Sequence, residues 1–124
     1  MYCKGLWKEP GVMAASLGQN KSSSVQENGV DQVELTTLDE VFLNRNSSDY
    51  PTFLKFDIEG AEQEALTGGK RLIEKVHPHL AVCVYHKPED IYVIPKMLHH
   101  MNPLYRFRLE HYSPYTWETV LYAF

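Results

Sequence analysis

The sequence has few cysteines and no apolar segment long enough for a membrane helix. Its two cysteines, Cys3 and Cys83, are too few for a disulfide framework and suit a reducing compartment. No apolar run approaches the roughly 20 residues that a membrane-spanning helix needs. The N-terminal residues 1–5 contain no apolar stretch typical of a signal peptide. We therefore expect a cytoplasmic protein without a membrane partner.

An excess of positive charge is also lacking. Twelve lysines and arginines stand against sixteen aspartates and glutamates, which gives a formal net charge of −4. Proteins bind nucleic-acid backbones through positive fields, so this balance argues against nucleic acid as a partner. The segment Tyr105–Arg108 interleaves basic and aromatic residues. In a strand, such alternation is more typical of one core face and one solvent face.

Several motifs of nucleotide, hydrolytic and zinc chemistry are absent. The sequence contains no GxxxxGK[ST] phosphate loop, no GxSxG nucleophile elbow and no CxxC pair. Two widely separated cysteines do not have the spacing of a structural zinc site, and no metal ligands are predicted. Cys83 lies within an apolar run, which indicates a buried small hydrophobic residue rather than a nucleophile.

Hydrophobic periodicity predicts an α/β domain. Strand–helix–strand units require right-handed crossovers and a parallel sheet, whereas two strands joined by a short connection form an antiparallel hairpin. The expected fold is therefore α/β, with a mostly parallel sheet and a terminal antiparallel hairpin. The predicted elements are strands at 5–7, 12–17 and 33–36, an exposed loop at 18–32, a helix after Thr37, strands at 52–58, 80–85, 105–112 and 118–124, and helices from 61 (broken at Gly68–Gly69) and from 88.

Two predicted strand ends carry the residues that are best suited to chemistry. Asp57 and Glu59 end the strand at 52–58, and His86 follows the strand at 80–85. Ligands of open α/β sheets bind outside the carboxyl ends of the strands. Consecutive parallel strands are usually neighbours, about 5 Å apart. A carboxylate beside an imidazole suits proton abstraction from a hydroxyl or amine, and it could equally hold a divalent cation.

We therefore predict Asp57, Glu59 and His86 as catalytic residues, with His111 as a weaker candidate for the same edge of the sheet. Each has a structural alternative. A strand-end acid often caps the helix that follows it, and a histidine can serve as a structural hydrogen-bond partner. Gly60 is more simply explained by a tight strand-to-helix turn.

One stretch of the sequence resembles the signature of a known family. Lys55-Phe56-Asp57-Ile58-Glu59-Gly60-Ala61-Glu62, followed by Ala65-Leu66-x-Gly68, resembles the K-x-D-[VI]-E-G-A-E…L-x-G signature of FkbM-type methyltransferases. Similar segments of that family correspond to residues 33–40, 78–81, 85–90 and 118–123. The resemblance is co-linear and covers essentially the whole chain.

The resemblance implies a class I, Rossmann-like fold and S-adenosylmethionine-dependent methyl transfer, usually O-methylation of a small-molecule or carbohydrate hydroxyl. Family members hold the methionine and ribose of the cofactor with an Asp-x-Gly-Ala-Asn-x-Gly loop and a strand that ends in Glu-Pro. This sequence contains neither motif, so no cofactor-binding residues are assigned, and Gly5–Trp7 resembles the third strand of the family. Residues 1–124 are therefore expected to form a single, N-terminally truncated domain.

An incomplete sheet would leave the strand at 53–58 as an unpaired apolar edge. We expect self-association, or binding of the missing N-terminal half, through this edge. Two other interpretations stay open. The chain could be a catalytically incomplete fragment or subunit, or a metal-dependent enzyme that uses Asp57, Glu59 and His86, with His111 as a second histidine ligand.

Overall fold

A computed structural model describes residues 3–16, 24–25, 31–115 and 117–124 of the chain. In these ranges it contains two four-stranded sheets and four α-helices, none long and apolar enough to cross a membrane. The elements are β1 (Gly5–Leu6), β2 (Gly11–Ser16), β3 (Ser24–Val25), β4 (Asp31–Thr36), α1 (Leu38–Leu43), a 3-10 turn (Ser47–Asp49), β5 (Phe53–Phe56), α2 (Glu62–Gly68), α3 (Lys70–Val76), β6 (His79–Cys83), α4 (Asp90–Met101), β7 (Phe107–His111) and β8 (Thr119–Ala123).

The first sheet has the strand order β1-β4-β2-β3. β1 pairs parallel with β4, whereas β2 runs antiparallel to both β4 and β3. The predicted loop at 18–32 is therefore wrong at two places, because β3 pairs with β2 and β4 begins at Asp31. Backbone hydrogen bonds can pair a short polar edge segment that has no apolar periodicity. Residues 18–23 and 26–30 of that loop prediction lie outside the described residues, as does residue 17 of the strand predicted at 12–17.

The side chain of Thr37 caps the N-terminus of α1. The Thr37 hydroxyl accepts the backbone N–H of Glu40 at 3.0 Å. The Glu40 carboxylate accepts the hydroxyl of Thr36 at 2.6 Å instead of reaching back to a backbone N–H. Asp39 accepts the N–H groups of Leu72 at 2.8 Å and Arg71 at 3.3 Å. An acid of α1 thus satisfies two free donors at the N-terminus of α3.

The second sheet has the strand order β5-β6-β8-β7 and carries the predicted site. β5 and β6 are parallel neighbours, and β7 and β8 form the predicted antiparallel hairpin. The expectation of a mostly parallel sheet is confirmed only in part, since two of the six strand pairings among the described residues are parallel. The cause is β8, which lies between β6 and β7 and runs antiparallel to both, together with the hairpins of the first sheet. The fold is α/β with mixed sheets.

Buried side chains of α2, α3 and α4 form one hydrophobic core with those of the second sheet. The predicted break at Gly68–Gly69 is confirmed, because α2 ends and α3 begins there. Among the described residues, β5 pairs with one strand, β6, and its other edge has no strand partner. Phe53 of β5 is 54% exposed. Association through this edge stays a prediction. The core contains Leu38, Phe56, Leu66, Leu72, Ile73, Leu80, Val82, Ile94, Leu98 and Leu121.

Candidate active site

The structure brings the three predicted catalytic residues together. Parallel pairing of Phe56 with Val82 places the segment after β5 beside the segment after β6. The Nε2 atom of His86 lies 3.5 Å from Glu59 Oε2 and 3.9 Å from Asp57 Oδ1. The carboxyl ends of β5 and β6 therefore form one site, which we call the His86 rim (Asp57, Glu59, Glu62, Tyr85 and His86).

A tight turn between β5 and α2 directs Glu59 toward His86. Glu59 has φ 56° and Gly60 has φ 92°, both in the left-handed region. The Ala61 N–H donates to the Ile58 carbonyl at 3.2 Å and closes the turn. A Cβ on Gly60 would meet only ordinary contacts at 3.5 Å or more, so this position needs glycine for its φ and not for space. Such strained backbone is common where a side chain must be aimed at a functional site.

Glu62 is the residue of the rim that sequence reasoning missed. It is the first residue of α2 and is completely buried. Its Oε1 accepts the Ile58 N–H at 3.1 Å and lies 2.9 Å from His86 Nδ1. The helix dipole is the usual explanation for an acid in the first turn of a helix, so the sequence alone gives no reason to assign Glu62 another role. The available signal was its place in the same K-x-D-I-E-G-A-E segment as Asp57 and Glu59.

The ring of His86 is nearly buried, and its two nitrogens face the acids of the rim. Its side chain is 10% exposed, and its ring centroid lies 4.1 Å from that of Tyr85. Among the described residues, neither nitrogen has a hydrogen-bond partner, because the short contact to Glu62 is not aligned as a hydrogen bond. An imidazole in this position can accept or donate a proton at the rim.

The surroundings of Asp57 favour its ionised form. Partial burial alone would raise the pKa of Asp57, but hydrogen bonds from Lys55, Cys83 and Tyr85 and the charge of Lys55 outweigh it and lower the pKa below 3.8. Tyr85 Oη donates to Asp57 Oδ1 at 3.2 Å, and Lys55 Nζ donates to Oδ2 at 3.4 Å. Ionised Asp57 therefore stabilises the fold above its ordinary pKa, and this contribution is lost as the pH falls through the lowered value.

Tyr85 and Cys83 keep their protons at neutral pH. Burial, followed by the charge of Asp57, raises the pKa of Tyr85 to about 12 and that of Cys83 to about 12. The Tyr85 phenol is therefore a hydrogen-bond donor to Asp57 and not a base. Cys83 is buried, as predicted, and its thiolate is too scarce for nucleophilic chemistry.

Cys3 is exposed and Cys83 is buried, which predicts unequal reactivity of the two thiols. At pH 8, one thiol per chain should react rapidly with a thiol-specific reagent in the native protein, and both should react in denaturant. The rapid thiol is expected to be Cys3, which is exposed. A Cys3→Ser variant should then show almost no rapid reaction. Rapid labelling of native Cys3→Ser would contradict the burial of Cys83.

His111 lies at the same edge of the sheet but outside the cluster. β7 runs parallel to β6, with β8 between them, so His111 lies at the edge of the sheet where it was expected. Among the described residues it makes no hydrogen bond or ion pair with Asp57, Glu59 or His86. Its Nδ1 lies 2.8 Å from the Thr119 hydroxyl. In the part of the chain that the structure describes, no group of three His, Cys, Asp or Glu residues is arranged to hold a metal ion.

Comparisons with known proteins identify the family. The methyltransferase FkbM domain model matches residues 1–109. The crystal structure of methyltransferase FkbM from Methylobacillus flagellatus KT is similar with a TM-score of 0.78 and 27% identity, over 99% of this chain and 28% of that one. No curated protein matches. The chain spans less than a third of that structure. Because the family model covers most of the sequence, the chain belongs to the FkbM methyltransferase domain family.

Proposed function

We propose that the chain takes part in S-adenosylmethionine-dependent methylation of a hydroxyl group on a small molecule or carbohydrate, at the His86 rim. Family membership supports the reaction class. The observation that carries the choice of site is His86, a nearly buried imidazole whose nitrogens have no hydrogen-bond partner among the described residues. A free imidazole at the carboxyl end of a sheet suits a general base.

The acids of the rim fit a cationic cofactor. When bound, S-adenosylmethionine supplies an electrophilic methyl group on a positively charged sulfur. Asp57 and Glu59 present carboxylates whose side chains are each 39% exposed. The lowered pKa of Asp57 keeps this group negative at neutral pH. These two carboxylates would hold the cationic part of the cofactor by charge attraction.

His86 would perform the proton transfer. Its Nε2 would take the proton of the acceptor hydroxyl, which would prepare the acceptor oxygen to receive the methyl group that the cofactor would supply. The products would be a methyl ether, a neutral thioether that keeps the electron pair of the broken methyl–sulfur bond, and an imidazolium that would release its proton to water. The charge gained by His86 lies within 3.9 Å of the Asp57 and Glu59 carboxylates, which attract it.

Transfer of a labelled methyl group tests this proposal. The chain is incubated with methyl-labelled S-adenosylmethionine and a panel of monosaccharides and phenols. The expected product is a labelled methyl ether, which withstands treatment with base. Label in base-labile esters or in amines, or equal transfer by heat-denatured protein, would contradict the proposal.

A further inference from the structure

We propose that Glu62 is a positioning residue that keeps the proton of neutral His86 on Nδ1 and so leaves Nε2 as the base. This inference rests on the proposed function, in which Nε2 accepts the proton of the hydroxyl. The two ring nitrogens face different surroundings. Nδ1 lies 2.9 Å from Glu62 inside the protein, whereas Nε2 faces the partly exposed carboxylates of Glu59 and Asp57 at 3.5 and 3.9 Å.

The chemistry of the carboxylate determines which tautomer fits. An ionised carboxylate only accepts hydrogen bonds. A proton on Nδ1 therefore places a donor against the Glu62 oxygen, whereas a proton on Nε2 would place two lone pairs against each other in a buried site. The Nδ1–Oε1 distance is that of a hydrogen bond, and catalytic hydrogen bonds often become aligned only when a ligand closes the site. The partner of one ring nitrogen thus sets the tautomer of the whole ring.

Glu62 is built to stay in this position. Its side chain is completely buried, and the Ile58 N–H holds Oε1 at 3.1 Å. It begins α2, where the dipole of the helix favours a negative charge. Its second oxygen, Oε2, is buried and has no hydrogen-bond partner among the described residues. If Glu62 served only to accept the Ile58 N–H, removing its charge would leave the tautomer of His86 unchanged.

The ring-nitrogen chemical shifts of isotope-labelled histidine test the inference directly. They are recorded on the full chain at a pH high enough to neutralise imidazoles, and the His86 signals are assigned with a His86→Asn variant. We expect a large majority of the Nδ1–H form in the wild type and a minority in Glu62→Gln. Glu64→Gln is the matched control, because it removes a charge from the same helix but its ion pair is with Lys87, at 3.8 Å. It should leave the tautomer unchanged.

Two results would overturn the inference. One is a wild-type His86 that carries its proton mainly on Nε2, which is decisive even if Glu62→Gln fails to fold. The other is an unchanged tautomer in folded Glu62→Gln. Because the measurement uses no cofactor or acceptor, either result leaves the role of His86 in methyl transfer to its own activity test. A dispensable His86 in that test would refute the proposed function, whatever the tautomer.

Discussion

Replacing Gly68 by alanine is expected to destabilise the fold by about 3 kcal/mol or more. The new Cβ would lie 2.1 Å from the Trp7 carbonyl oxygen and 3.2 Å from Lys8 Cα. Both are backbone atoms, so no change of side-chain rotamer relieves the clash. Either α2 or the segment after β1 must move, and movement of β1 would break its parallel pairing with β4. Urea denaturation followed by circular dichroism measures the change in the free energy of unfolding.

Two other glycines provide graded controls. A Cβ at Gly11 would have no neighbour within 4 Å, so Gly11→Ala should change the free energy of unfolding by less than about 1 kcal/mol. A Cβ at Gly69 would lie 2.7 Å from Leu38 Cδ1, a side-chain atom that can shift, so Gly69→Ala should have an intermediate effect. Equal urea midpoints for Gly68→Ala and Gly11→Ala would contradict the close approach of Gly68 to the Trp7 carbonyl oxygen.

Replacing His86 by asparagine is expected to lower methyl transfer by about 10²- to 10⁴-fold, the usual contribution of a general base. Asparagine is polar and of similar size but cannot take up the proton of a hydroxyl at neutral pH. The measurement is the turnover of labelled methyl groups from S-adenosylmethionine, at acceptor concentrations that separate kcat from KM. A loss mainly in kcat is expected, because a base acts in the transition state and contributes little to binding.

His111→Asn is the matched control for this result. His111 lies at the same edge of the second sheet, but its ring contacts Thr119 and not the His86 rim. The same substitution there should leave turnover unchanged within about twofold. Urea midpoints of both variants separate lost chemistry from lost folding. If folded His86→Asn keeps the turnover of His111→Asn, His86 is not the base.

The sequence was sufficient to predict that Asp57, Glu59 and His86 lie close together. The sequence predicts strands at 52–58 and 80–85, of which 80–85 is a near-continuous apolar run typical of a buried strand. The single crossover between them makes the two strands parallel neighbours. The rule that ligands bind at the carboxyl ends of such strands then selects the same edge of the sheet. The structure confirms the parallel pairing of β5 and β6 and places His86 within 3.9 Å of both acids.

The role of Glu62 and the position of β8 between β6 and β7 could not be predicted in the same way. An acid at a helix N-terminus is ordinarily exposed, and only the packing of α2 under His86 makes Glu62 completely buried. The insertion of β8 between β6 and β7 depends on pairing between residues far apart in the chain, such as Val82 with Leu121. Local periodicity contains no information about that choice of partner. The pairing of β3 likewise depends on backbone hydrogen bonds and not on side-chain pattern.

We propose that the His86 rim is where this chain binds the methyl donor. The most direct test is to titrate the isotope-labelled chain with S-adenosylhomocysteine, the product form of the cofactor, up to millimolar concentrations and to follow the backbone amide signals by NMR. We expect saturable shifts concentrated in residues 57–62 and 85–87, which are reduced in an Asp57→Asn variant. A folded chain whose amide signals in these two segments do not change, or change less than those at other surfaces, would contradict it.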